Sequence, residues 1–182
     1  MVSFVISNKI WYSIPGDVMK TRSMILAALM AVLTALGSLI RIPMPISSFT
    51  LQIFFCAMSG FLLGSRWGAI SQIGYLLLGM IGLPVFASGA GLGAFLTPTG
   101  GFLLALVPMA WICGKFQKGY LALGVLYMIG LPYMHLIITL YLQKPWSIWQ
   151  TVLYGMLIFL PFDLIKIYLA SWLCKKIRPR LL

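Results

Sequence analysis

The chain has 182 residues, of which 62% are hydrophobic and 8% are charged. Soluble domains carry about 25% charged residues, so this composition excludes an ordinary soluble protein and indicates an integral membrane protein. Thirteen lysines and arginines against two acidic residues give a formal charge of +11. Because the basic residues stand in short segments between apolar runs, they are typical of topology signals and argue against nucleic acid as a partner.

The N-terminal segment, residues 1–18, has mixed polarity, whereas Met19-Lys20-Thr21-Arg22 opens a long apolar run as a basic flank. We interpret residues 1–18 as an N-terminal extension, with Met19 as a candidate start, and residues 19–182 as a single membrane domain. No cleavage site of the A-x-A type follows a short apolar core, so we expect the first apolar run to be retained as a membrane span.

Six apolar segments are candidates for membrane spans, although the second and third are short enough to tilt or break. The predicted fold is therefore an all-α integral membrane protein with six transmembrane helices. The segments lie near residues 23–40, 50–64, 67–83, 100–114, 119–142 and 149–174.

The basic residues are distributed unequally between the two sides of this arrangement, which predicts that both termini are cytoplasmic. The predicted outer side carries Arg41 and Lys144. The predicted inner side carries Lys20, Arg22, Arg66, Lys115, Lys118, Lys175, Lys176, Arg178 and Arg180.

Two outer connections differ from ordinary turns. The first, residues 41–52, contains two prolines that prevent a helix from continuing and polar side chains that could face a cavity. The second, residues 82–101, is rich in glycine yet apolar and uncharged. A flexible linker would be polar, so we expect this segment to fold back over the protein as a lid or a re-entrant segment. Phe49 and Phe86 lie in these connections and are candidates for lining an apolar pocket.

The segment from Pro161 to Lys166 places two charged residues, Asp163 and Lys166, inside an apolar run. An unpaired ion near the bilayer centre costs about 2.5–3.5 kcal/mol, so both side chains need a partner, water or a ligand. Three residues are close to one helical turn, which puts both on one face. We interpret the pair as a site for a small ligand with donor and acceptor groups. An internal ion pair that holds the helices together, or an ion relay, are the alternatives.

Other polar residues predict no catalytic or metal centre. Cys56, Cys113 and Cys174 lie far apart, without a CxxC or HxxxH spacing, so we expect neither a metal nor a cofactor. The single histidine, His135, is more typical of a hydrogen bond between membrane helices than of catalysis.

Neutral polar residues and one arginine near the outer connections have ordinary alternative roles. Thr50, Gln52 and Tyr75 are more typical of packing between helices than of ligand contacts. Arg41 fits a flanking residue whose head reaches the membrane surface, while its place beside the prolines leaves open a contact with an anion.

A stripe of small residues on the first span, Ala27, Ala31 and Ala35, would let another helix approach closely. That helix could belong to the same chain or to a partner protein, and the spacing alone favours internal packing.

Four short motifs, taken in order and at their spacing, resemble the BioY family, the biotin-capturing S components of energy-coupling-factor (ECF) vitamin transporters. The resemblance covers residues 19–182. The motifs are Ser48 to Gln52 (SFTLQ), Gly79 to Ala87 (GMIGLPVFA), Pro98 to Gly101 (PTGG) and Pro161 to Lys166 (PFDLIK).

This resemblance implies a six-helix bundle whose outward-facing vitamin site is closed by the two unusual connections. Biotin would be the transported ligand: Asp163 would accept hydrogen bonds from its ureido N–H groups, and Lys166 would contact the ureido oxygen or another polar atom. Relatives often carry an asparagine where this chain has Ser88, which leaves one hydrogen bond to the ligand open. The further substrate-binding candidates are Phe49, Thr50, Phe86, Ser88, Gly89, Gly91, Gly93, Tyr75 and Arg41.

The resemblance also implies partners: a transmembrane T subunit, docked on Ala27, Ala31 and Ala35, and two cytosolic ATPase subunits. The chain has no GxxxxGK[ST] phosphate loop of its own. We therefore expect a non-enzymatic biotin-capture subunit in a prokaryotic cytoplasmic membrane. The alternatives are an S component for another vitamin, a membrane enzyme that uses Asp163 as acid or base, and a purely structural subunit.

Overall fold

The structure is a computed structural model that describes residues 16–42 and 48–181. The N-terminal extension up to residue 15, and the segment with both prolines of the first outer connection, residues 43–47, lie outside the described residues. The helices are α1 (Gly16–Leu39), α2 (Gln52–Met80), α3 (Gly100–Phe116), α4 (Gly119–Leu136), α5 (Ile148–Val152) and α6 (Leu160–Leu181).

Most of the described chain is helical, and several helices are long and apolar enough to cross a membrane, as predicted. Helix α3 is a shorter apolar helix. The four long stretches are Thr21–Leu39, Gln52–Met80, Gly119–Tyr141 and Ile148–Ile177.

Helix α2 is bent back on itself at Gly64, whose φ of 79° and ψ of 179° lie outside the helical region. The side chains of Ser59 and Gln72 approach to 3.1 Å, although 13 residues of continuous helix would separate them by about 20 Å. Two glycines, Gly60 and Gly68, let the arms approach closely, since a Cβ on Gly68 would lie 2.8 Å from the Cα of Gly60. The arms, residues 52–63 and 65–80, correspond to the second and third predicted segments.

Helix α2 is also the centre of the packing, with its arms against α1, α3 and α6. The small-residue stripe of α1 lies on this interface: Ala27, Ala31 and Ala35 are between 4% and 6% exposed. Ala31 packs near Gly74, where an added Cβ would lie 3.8 Å from the Ala31 methyl group. The stripe is thus used for packing within the chain, as the sequence analysis favoured, and docking of a partner on it stays a prediction.

Two π-helical turns interrupt the later helices. Ile137–Tyr141 continues α4, so the fifth predicted segment combines α4 with this turn. Leu153–Leu157 lies between α5 and α6, and the sixth predicted segment is therefore built from three pieces. The final piece, α6, carries Pro161 in its first turn, where a proline costs no internal hydrogen bond.

The two unusual connections contact each other at one end of the bundle. The first loop, between α1 and α2, contains strand β1 (Arg41–Ile42) antiparallel to strand β2 (Phe49–Thr50). The second, which we call the glycine loop (residues 81–99), contains a short 3-10 helix, Leu92–Leu96. The glycine loop folds back over the helices as predicted, because the Gly91 amide donates to the Gly79 carbonyl (2.8 Å).

Candidate functional site

Asp163 and Lys166 form an ion pair inside the helix bundle. The Nζ atom of Lys166 lies 2.8 Å from Oδ1 of Asp163. Asp163 is 2% exposed and Lys166 is 6% exposed. They share one face of α6, as their spacing predicted. A buried pair of this kind satisfies two charges that would otherwise be costly, and the structure contains the internal ion pair.

A tyrosine that sequence analysis did not single out completes this site. The hydroxyl of Tyr127, on α4, donates to Oδ2 of Asp163 at 2.8 Å. Each carboxylate oxygen therefore has one partner, and each keeps a second lone pair. Tyr127 is one of eight tyrosines in an apolar chain, and no spacing links it to a residue 36 positions away.

The first loop covers the same ion pair. The Nζ atom of Lys166 lies 3.7 Å from the centre of the Phe49 ring, which is a cation–π contact. Phe49 also packs edge-on against Phe162, with ring centres 5.1 Å apart. We call Phe49, Tyr127, Asp163 and Lys166 the ion-pair cluster. Its position ties strand β2 of the first loop to α4 and α6.

A cavity of about 280 Å³ lies between the first loop, the glycine loop and α3; we call it the loop cavity. Thr50 and Ser88, both predicted to contact substrate, line it. Asp163, Lys166 and Phe49 are not among its walls. The lining residues are Ser48, Thr50, Gln52, Ile53, Ala87, Ser88, Thr97, Pro98, Thr99, Phe102, Leu103, Leu106 and Leu126.

The loop cavity and the ion-pair cluster are neighbours. Phe102, which lines the cavity, packs edge-on against the ring of Tyr127 with centres 6.3 Å apart. Leu126 of the cavity wall precedes Tyr127 on α4. A ligand in the cavity would thus have an apolar wall on one side and the charged pair beyond the Phe102–Tyr127 contact.

Phe86 and Tyr75 hold the glycine loop rather than line the cavity. Phe86 is 2% exposed, and its ring packs edge-on against Tyr75 (5.4 Å) and Phe95 (5.6 Å). The Tyr75 hydroxyl donates to the carbonyl of Val85 at 3.0 Å. An added Cβ on Gly79 would overlap the Phe86 ring, so the ring can pack here only because residue 79 is a glycine.

Gly89 and Gly91, two further predicted site residues, shape the turn that follows Phe86. Their φ angles, 123° and 74°, lie in the region that favours glycine. The Phe86 and Gly89 backbones also exchange two hydrogen bonds, at 3.2 and 3.1 Å. The two glycines thus act through the shape of the loop, and Gly93 has a negative or extended φ with open space around it.

Arg41 connects the two loops. Its guanidinium donates to the carbonyl of Ala87, a residue that lines the loop cavity. Arg41 is exposed, and its contact with Ala87 places it at the cavity rim. An anion contact of Arg41 stays a prediction.

The remaining polar candidates have structural partners. Nδ1 of His135 lies 3.0 Å from Oγ1 of Thr151, which joins α4 to α5 as expected of a histidine between membrane helices. Cys56, Cys113 and Cys174 are buried. Within residues 16–42 and 48–181, no three His, Cys, Asp or Glu side chains are close enough to hold a metal ion.

Taken together, apolar helices around a buried ion pair, with a cavity under two loops, define a multi-pass α-helical membrane protein with an internal site for a small molecule. The comparisons with known proteins give the family. The BioY family model matches residues 9–182, and the chain belongs to the BioY family.

Similar proteins carry consistent names. The biotin transporter BioY of Thermotoga maritima is 31% identical over 169 residues, which cover 86% of this chain and 96% of that protein. The biotin transporter BioY of Rhizobium etli is 34% identical over 187 residues, covering 85% and 92%. A crystal structure of the S-component for biotin from an ECF-type ABC transporter matches with a TM-score of 0.71 and 26% identity, over 92% of this chain and 95% of that one.

Proposed function

We propose that this chain captures biotin at the outer face of a cytoplasmic membrane and delivers it across as the S component of an ATP-driven importer. The observation that carries the proposal is the ion-pair cluster beside the loop cavity, in a chain of the BioY family. The chain is a transport protein rather than an enzyme, in agreement with the transporter names of its relatives.

The ion-pair cluster matches the polar head of biotin. A ureido group offers two N–H donors and one carbonyl acceptor. The free lone pairs of Asp163 would accept from the N–H groups, while the ammonium of Lys166 would donate to the carbonyl oxygen. Because the two side chains touch at 2.8 Å, both address the same end of the ligand.

The loops supply the rest of the site. Thr50 and Ser88 would contact the ligand from the cavity wall, and Phe49 would cover its head. Movement of the first loop would open access to the cluster, because Phe49 sits on Lys166. The residues that would hold the glycine loop in its closed form are Tyr75, Phe86, Gly89, Gly91 and Arg41.

We further propose six membrane spans with both termini in the cytoplasm. The hairpin in α2 supplies two of the spans, and the excess of lysine and arginine on the predicted inner side sets the orientation. As part of an ECF-type transporter, the chain would work with a transmembrane T subunit and two cytosolic ATPase subunits. Since Ala27, Ala31 and Ala35 are buried against α2, docking on that stripe would require α1 to separate from α2.

A titration of the purified protein tests the biotin proposal. We expect saturable binding of biotin and of the analogue that lacks sulfur, because both keep the ureido head. Asp163→Asn should lose affinity, since an amide presents a donor where the ureido N–H groups need an acceptor. Lack of saturable binding by the unmodified protein would disprove the proposal, whereas intact binding by the variant would remove only the role of Asp163.

Two further variants separate a binding defect from a folding defect. Asp163→Asn leaves the Lys166 ammonium buried without its partner, so the double variant Asp163→Asn/Lys166→Met is measured alongside it. Lys118→Met, on the exposed connection between α3 and α4, is the matched lysine control. We expect the double variant to fold and not to bind, and the control to bind normally.

A further inference from the structure

The end of the bundle opposite the loops brings two basic residues together. Helix α3 begins beside the loop cavity and runs for 17 residues, so its last turn lies about 25 Å from its start. There it meets the bend of α2, because an added Cβ on Gly114 would overlap the backbone of Ser65. Arg66 follows Ser65, and Lys115 follows Gly114. The contact between the two segments therefore places an arginine and a lysine close to each other.

The chain has too few acidic side chains to neutralise its cations. Arg66 and Lys115 are both exposed. Of the two acidic residues in the sequence, Asp163 is buried and paired with Lys166. That leaves Asp17 as the one acidic side chain for all the other lysines and arginines. The anions that balance this end of the bundle must therefore come from outside the chain.

Exposed aromatic rings place the ammonium of Lys115 at the level of a membrane surface. Its Nζ atom lies 4.4 Å from the ring centre of Trp111 and 5.4 Å from that of Phe116. The two aromatic residues are 41% and 49% exposed. Tryptophan is enriched where the hydrocarbon core meets the headgroups, and a lysine stem that follows such a ring brings its ammonium to the same level. Lys115 is thus positioned to meet lipid headgroups.

Helix α6 repeats this arrangement. Trp172 and Lys176 have the same spacing of four residues as Trp111 and Lys115. Nζ of Lys176 lies 5.5 Å from the centre of the Trp172 ring, and Trp172 is 53% exposed. Residues four apart lie on one helical face, so each pair presents an apolar ring and a cation side by side. Such a surface fits a molecule that joins an anionic group to an apolar body, as an anionic phospholipid does.

The helix ends on this side of the bundle do not supply the positive charge. The first arm of α2 and helix α3 end here, while the second arm of α2 and helix α4 begin here. The partial charges of helix C-termini and N-termini have opposite signs and oppose each other. Attraction of an anion therefore depends on the side chains, and substitution of those side chains removes it.

We propose that Arg66 and Lys115 bind the phosphate of an anionic phospholipid, with the ring of Trp111 packed against the region between its headgroup and its acyl chains. A zwitterionic lipid carries its own cation beside the phosphate, so it gains less from the two basic side chains. The site lies at the other end of the bundle from the loop cavity, and it does not depend on the proposed function.

Native mass spectrometry of the purified full chain tests this proposal. The protein is released from detergent that contains equal amounts of phosphatidylglycerol and phosphatidylcholine with identical acyl chains. We expect phosphatidylglycerol to be retained in preference. The double variant Arg66→Gln/Lys115→Gln should bind it about 25-fold more weakly, which is about fivefold for each cation removed. Lys144→Gln, on the predicted outer side, is the matched control and should keep the preference.

A second measurement locates the lipid. Phosphatidylglycerol with brominated acyl chains should quench the tryptophan fluorescence more strongly than brominated phosphatidylcholine, and Trp111→Phe should reduce this excess. Glycerol phosphate has the same charged group without acyl chains, and it should not displace the lipid. Displacement by glycerol phosphate would indicate a soluble phosphate ligand and would overturn the assignment to a lipid.

Equal retention of the two lipids by the unmodified protein would overturn the proposal and would favour an acidic surface of a partner protein instead. An unchanged preference in the double variant would also overturn it. Thermal unfolding establishes that the double variant folds; if it does not, Lys115→Gln alone should show the fivefold loss. The double variant should bind biotin in detergent as the unmodified protein does, so failure of the lipid site leaves the proposed function untouched.

Discussion

The ion-pair cluster and the loop cavity lie side by side, yet they differ in whether their polar groups have partners within the protein. In the cluster, the carboxylate of Asp163 receives one partner on each oxygen, Lys166 and Tyr127. In the cavity wall, the polar side chains of Thr50 and Gln52 face the cavity. The protein therefore pairs its internal charges with each other, whereas neutral polar groups are left to face the cavity.

The magnitudes explain this difference. An ionised group in a medium of low dielectric costs several kcal/mol if unpaired, whereas an unpaired neutral amide costs about 1–3 kcal/mol. The fold can therefore leave a neutral polar group facing a cavity, but it has to pair a buried charge. Four substitutions test this difference, and they are given in order of decreasing effect.

Lys166→Met removes the positive partner of Asp163 in the cluster. We expect the free energy of unfolding to fall by about 3–5 kcal/mol, because a buried carboxylate loses its ion pair. Thermal or denaturant unfolding in detergent measures the loss. The double variant with Asp163→Asn should recover most of it, and Lys118→Met should cause no comparable change. A stable single variant would show that the cluster does not need its charge balance.

Tyr127→Phe removes the hydroxyl that binds the second oxygen of Asp163. A hydrogen bond to a charged group contributes about 1.5–3 kcal/mol, and we expect a loss of stability in that range. Tyr168→Phe, at a tyrosine of α6 that is 71% exposed, is the matched control and should be neutral. Equal stability of the two variants would contradict the view that both carboxylate oxygens need a partner.

Gly79→Ala tests how the glycine loop is held above the cavity. The added methyl group overlaps the ring of Phe86, and overpacking of a core costs about 1–3 kcal/mol. Gly74→Ala, in the same arm of α2, meets Ala31 at an ordinary distance of 3.8 Å and serves as the control. We expect the first variant to unfold at lower temperature and bind biotin more weakly. If the two variants have the same unfolding temperature and the same affinity for biotin, the packing of Phe86 against Gly79 does not position the loop.

Arg41→Gln removes the guanidinium that joins the first loop to Ala87 at the cavity rim. The contact is exposed, so its contribution should stay below about 1 kcal/mol. We expect dissociation of biotin to become about twofold to fivefold faster, with little change in unfolding temperature. Stopped-flow or surface-based dissociation kinetics measure the effect. Lys144→Gln, at the other basic residue of the predicted outer side, should leave the rate unchanged.

Sequence reasoning found the features that depend on neighbours along the chain. The face shared by Asp163 and Lys166 follows from helical spacing, and the two arms of α2 match predicted segments that end and begin around Gly64. The glycine loop was expected to fold back because its composition is apolar, and it does. Local periodicity and composition suffice for such features.

Features that depend on contacts between distant segments could not be predicted in detail. Nothing local distinguishes Tyr127 from the other tyrosines. Internal packing of the small-residue stripe on α1 was favoured, but only the structure identifies α2 as the helix that covers it. Phe86 and Tyr75 were candidates for the site, and the structure adds that they hold the glycine loop. In each case the contacting residues come from segments that are far apart in the chain.

Hydropathy and helical spacing act over short stretches. The amino-acid sequence was therefore enough to predict a membrane protein, the positions of its apolar segments, and a carboxylate and an ammonium on one helical face. Three further features became visible only in the folded structure: Tyr127 completes the pair, Phe49 covers it, and the first turns of α2 and α3 line one cavity. Those are contacts between residues far apart in the chain, and they exist because packing in three dimensions brings separate helices and loops together.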